Sequence, residues 1–152
     1  MDTLKEILLM LFTLMRKNPK VDKIVYGISD GMLAHDEQII INNTTDSIVA
    51  EVHIYEPFEH KIYPFTIEEA TWNKFIHELF NKYHFLWWSR ERFSDVGDNW
   101  TYDDMSYYVD ITFSNGYIVH HTGCFQSKGN QLLRDLFVEH FGLWHHRCYE
   151  DK

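Results

Sequence analysis

Cations and cysteines are scarce in this chain, and no apolar run is long enough to cross a bilayer. Fourteen Lys and Arg stand against 23 Asp and Glu, a formal charge of −9 with His neutral. That shortage argues against gripping nucleic acid by its phosphates, which needs clustered cations. It argues equally against an anionic membrane surface. Basic partners, or plain solubility, suit the balance better. Cys124 and Cys148 are the only two cysteines among 152 residues. They are too few for a disulfide framework, and a chain of this length can build its own core. They read as thiols of a reduced, cytoplasmic protein, with one bridge between them left open. The most apolar run, Ile7 to Met15, is interrupted only by Thr13 and is too short to span. Asp2, Lys5 and Glu6 precede it where a secretory signal would be basic, and no small-residue cleavage site follows. The seven glycines read as scattered at turns and caps. No Gly-rich phosphate loop and no G-x-S-x-G motif occurs.

Aromatic residues and histidine are plentiful instead. Five Trp, nine Tyr and eleven Phe exceed the usual needs of one modest core, so some of these rings are expected at the surface as recognition anchors. Protonating all ten histidines would carry the formal charge from −9 to +1.

Periodicity gives the organisation. A helix is expected from about Thr3 to Lys17, with Leu4, Ile7, Leu8, Leu11, Leu14 and Met15 on one face. Leu9, Met10 and Phe12 widen that face, so the helix either packs in the core or docks on a partner or a second copy. Strands follow. Lys23–Ser29 alternates, Gln38–Asn42 holds three isoleucines, Ser47–Tyr55 alternates again, and Lys61–Phe65 reads as an edge strand because of Pro64. Thr66-Ile67-Glu68-Glu69 has the form of a capping box. It opens a helix whose Trp72, Phe75, Ile76, Leu79, Phe80 and Tyr83 share one face. Residues 89–104 read mainly as a loop. Tyr107–Phe113 and Tyr117–Thr122 flank Asn115-Gly116, a two-residue hairpin signal. A last helix, about Gln131–Phe141, ends at Gly142. The order α-β-β-β-(β)-α-β-β-α predicts one α+β domain over residues 1–152, a mostly antiparallel sheet packed against about three helices.

Four constellations could carry function. His120, His121 and Cys124 with His145, His146 and Cys148 supply zinc-type ligands, but adjacent strand residues point to opposite faces and the spacing matches no standard finger. No metal and no cofactor is therefore assigned. A two-residue hairpin loop would place Asp110 opposite His121, a pair able to orient an imidazole, yet no nucleophile accompanies it. Asp95, Asp98, Asp103 and Asp104 form an acidic loop without EF-hand spacing. Finally, Trp87, Trp88, Phe93 and Trp100 lie among those aspartates, which is the composition of a protein interface.

Without an assembled catalytic set, the sequence favours a non-enzymatic binding protein over an enzyme. The expected binding surface comprises Trp87, Trp88, Phe93, Asp95, Asp98, Trp100, Asp103 and Asp104. The expected partner is a protein with a basic surface, such as one that handles nucleic acid, which this chain would inhibit or regulate. Anti-CRISPR, other anti-defence and immunity-type inhibitors share this composition. Direct contact with nucleic acid or membrane is not expected, and self-association through the first helix is a further expectation. A metal-binding protein or metal-dependent enzyme using the His/Cys clusters is the alternative.

Overall fold

The computed structural model describes residues 2–14, 20–30, 35–87 and 105–142. Its elements are α1 (Asp2–Leu14), β1 (Val21–Asp30), β2 (His35–Asn43), β3 (Ile48–Glu56), β4 (Glu59–Ile67), α2 (Glu69–His77), β5 (Ser106–Phe113), β6 (Ile118–Cys124) and α3 (Lys128–Phe141). A π-helical turn, Glu78–Lys82, continues α2, and a 3-10 turn, Phe85–Trp87, follows it. The strands form one open antiparallel sheet in the order β4-β3-β2-β1-β5-β6. This is the α+β arrangement that the sequence predicts. Pro64 does sit on an edge strand, where its missing N–H is harmless.

The sheet's two faces differ because its strands alternate. One face presents Ile24, Tyr26, Ile28, Ile39, Ile41, Ala50, Ile54, Tyr107, Val109, Ile111 and Phe113, all buried. Against it lie Trp72, Phe75, Ile76, Leu79 and Phe80 of α2 and its π turn, with Leu133, Leu136 and Phe137 of α3. Ring contacts tie the layers: Tyr26 stacks on Phe137 at 4.9 Å, and Phe80 meets Phe113 at 5.6 Å. Burying each such side chain contributes roughly 1.5–3 kcal/mol.

Several local expectations are corrected. Thr66 does not cap α2. It pairs with Val49, because β4 follows β3 as far as Ile67. The N-cap position falls to Glu68, whose side chain makes no capping bond. The β5–β6 loop has three residues, not two. Phe113 N donates to Tyr117 O and Gly116 N to Phe113 O, with Gly116 at φ +91°. A left-handed glycine in third position is the usual companion of that loop length. One extra loop residue moves every downstream partner by one, so Asp110 faces His120 rather than His121. Helix α3 starts at Lys128, three residues early, because the Ser127 side chain caps it by accepting from Asn130 N. Gly142 closes it in the left-handed conformation, as expected.

Helix α1 departs from the core-packing reading. None of residues 3–12 is buried, and Leu4 and Phe12 keep 64% and 59% of their surface exposed. No described helix is long and apolar enough to cross a membrane.

Candidate functional site

Among the described residues, the second face of the sheet carries only Gly27 and, at its end, Cys124 as buried positions, and α2 and α3 lie on the opposite side. Its rows follow from the register. One runs Ile62, His53, Gln38, Gly27, Tyr108, Thr122, and the next runs His60, Tyr55, Asp36, Ser29, Ser106. A third runs Pro64, Glu51, Ile40, Val25, Asp110, His120. All of these side chains except Gly27, which is covered, are half-buried or exposed.

Tyr108 is the centre of the face. Its ring lies across Gly27 on the neighbouring central strand, so closely that a Cβ at position 27 would collide with it. Gln38 Nε2 donates to Tyr108 Oη at 2.6 Å from the far side of Gly27. Partial burial raises the Tyr108 phenol above its ordinary pKa despite that hydrogen bond, and the carboxylates of Asp36 and Asp110 push the same way. The phenol therefore remains a neutral donor and acceptor. Gly27, inside the alternating strand, is thus a strand glycine that seats an aromatic ring rather than a turn or cap glycine.

A second group occupies the β3–β4 edge. Tyr55 stacks on His60 at 4.1 Å between centroids, and both rings lie beside His53. His53 Nε2 bonds Glu51 Oε2 at 3.1 Å. With Nε2 as the donor, Nδ1 accepts from the Tyr55 hydroxyl at 3.3 Å and from His60 Nε2 at 3.0 Å. These bonds fix the orientation of three rings with half-exposed faces. At the other edge His120 Nδ1 hydrogen-bonds Asp110 Oδ1. Asp36, Glu51 and Asp110 outnumber Lys23 across the face, which gives it an excess of carboxylates.

The residues singled out from sequence fall as follows. His120 is exposed and His121 half-buried on the opposite face, where its ring meets the edge of Phe85 at 5.4 Å. Burial, and then the neighbouring His120, lower the His121 pKa. Cys124 is buried with a free thiol. Trp87 closes the 3-10 turn, but its side chain lies outside the described residues. So do Trp88, Phe93, Asp95, Asp98, Trp100, Asp103 and Asp104, and likewise His145, His146 and Cys148. Sequence reasoning missed Tyr55, His60, Gln38 and Tyr108 as a group. The available signal was Gly27, a lone glycine inside an alternating strand, which marks close approach of another group.

No protein-family model matches the chain, and no curated protein is similar to it in sequence. The functional reading rests on the geometry.

Proposed function

We propose that this chain is a non-enzymatic binding protein that docks, through the face of its sheet opposite α2 and α3, on a basic surface of a protein partner. The observation that carries the reading is the seating of Tyr108 over Gly27, held by Gln38, beside the stacked Tyr55–His60 pair. Rigid, half-exposed aromatic rings supply contact area at little cost in side-chain entropy, and such rings dominate interface energetics. Asp36, Glu51 and Asp110 around them, with the chain's net charge of −9, would speed encounter with a basic target. The tryptophans and aspartates between Trp87 and Asp104 have the same composition and belong to the same proposal. A partner that handles nucleic acid offers a basic groove. Occupying it would inhibit that protein, which is the anti-defence or immunity-type role.

The test is capture from the source cell with wild-type bait beside two variants, Tyr55→Ala/Tyr108→Ala and Asp36→Asn/Glu51→Gln/Asp110→Asn. All three must first show native circular dichroism. A basic protein retained by wild type at low salt should be lost from the aromatic variant. It should associate more slowly, and with a flatter salt dependence, with the charge variant. A partner that binds all three with equal kinetics removes the sheet face from consideration.

A further inference from the structure

Away from the sheet face, three metal-type ligands converge between α2 and α3. Glu78 opens the π-helical turn, and Glu139 and His140 lie in the last turn of α3. One ligand atom from each of the three lies within 4.8 Å of the other two. His140 Nε2 is 2.6 Å from Glu78 Oε2, and the side chains of His140 and Glu78 are only 4% and 14% exposed. The imidazole is held edge-on by Phe75 at 5.7 Å and flanked by Phe141 at 6.3 Å, so its Nε2 is aimed at the carboxylates by packing.

We propose that Glu78, Glu139 and His140 form a binding site for a first-row divalent cation of the Zn²⁺ class. One imidazole nitrogen and two carboxylates suit that chemistry better than Ca²⁺ or Mg²⁺, which prefer oxygen alone. This set is not an acidic surface patch: its nitrogen donor is almost fully enclosed and comes from a different element than Glu78. Glu139 brings a second carboxylate ligand within the same 4.8 Å, while the Lys82 ammonium lies over the Tyr83 ring, 5.1 Å from the centroid. Three protein ligands leave the fourth position of a tetrahedral ion to water. Glu139 is exposed, which leaves an entry path. Two further features mark the segment. The i→i+5 bond from Tyr83 N to Glu78 O closes a π turn, a device concentrated at functional sites. His84, just beyond, has φ +52°.

Binding must vacate Nε2, which serves the Glu78 carboxylate as a donor; a neutral imidazole does so by carrying its proton on Nδ1. The test uses the full, untagged chain and Zn²⁺ alone, titrated by calorimetry. One equivalent is expected. Affinity should fall by more than about 10-fold in Glu139→Gln, whose exposed side chain leaves folding intact, and in Glu78→Gln. Co²⁺ should give visible d–d bands without a thiolate charge-transfer band. Absence of binding overturns the proposal. So does equal affinity in both variants, which would place the ion on another histidine cluster, and so does a thiolate band.

Discussion

The Tyr26 hydroxyl offers a quantitative test of the core. Tyr26 sits in the middle of β1, fully buried, and donates to Asn130 Oδ1 in the first turn of α3. Asn130 is itself committed: its Nδ2 donates to Phe125 O at 2.6 Å, and its backbone N to Ser127 Oγ. Burial raises the Tyr26 phenol well above its ordinary pKa of 10.0, so it is a donor throughout the working range. Tyr26→Phe keeps the ring stacked on Phe137 and removes only the donor. Asn130 Oδ1 is then left buried without the tyrosine proton, at a cost of about 1–3 kcal/mol. In a chain of this length each kcal/mol lowers the thermal midpoint by roughly 2–4 °C. Urea unfolding of Tyr26→Phe, Asn130→Ala and the double variant should give a lower midpoint at unchanged slope for Tyr26→Phe. The coupling energy between the sites should be at least about 0.5 kcal/mol. A Tyr26→Phe midpoint equal to wild type, or zero coupling, would refute the reasoning that this bond clamps α3 to the sheet.

Two further outcomes follow from the same geometry. Gly27→Ala should drive the Tyr108 ring off β1 and break its bond to Gln38, moving the Tyr108 ring and Gln38 amide NMR signals and returning the phenol toward pKa 10.0; unchanged signals would mean that the ring does not lie over Gly27. Stability should fall on acidification, first below about pH 6.5 as the unfolded His121 takes a proton that its buried folded form resists, and again below about pH 4.5 as Glu78 gains one. His121→Gln should remove the first decline and leave the second, as read by urea midpoints across pH.

Element type and order were legible because the chain's periods are clean. Ile24, Tyr26 and Ile28 repeat every two residues, whereas Trp72, Phe75, Ile76 and Leu79 repeat on a helical face. Boundaries were not, because pairing partners set them. Thr66 has the chemistry of a cap, but Val49 claims it for the sheet. Asn115-Gly116 marks the hairpin correctly, yet the dipeptide alone does not say whether Ser114 belongs to the loop, and that one residue decides whether Asp110 meets His120 or His121. The Glu78–His140 cluster was illegible for a different reason. Its members lie 62 residues apart in the chain, and only the packing of α2 on α3 brings them together, so no spacing rule could connect them.

Glycine in a strand interior weakens the strand by roughly 0.5–1 kcal/mol relative to alanine, and β1 is a central strand, paired on both sides. Position 27 therefore costs the sheet stability where its pairing matters most. The packing of α2 and α3 does not recover that loss, because Gly27 belongs to the opposite face. What the glycine permits is one ring, that of Tyr108, lying flat on the sheet with its hydroxyl fixed by Gln38. Covering Gly27 with the ring returns part of that stability to the sheet, and it also fixes the orientation of the ring. Fixing an aromatic ring ahead of any encounter reduces the ordering cost at the moment of binding. The stability surrendered at Gly27 thus makes physical sense for a face that receives a partner, and this asymmetry supports the binding role more strongly than the acidic composition does.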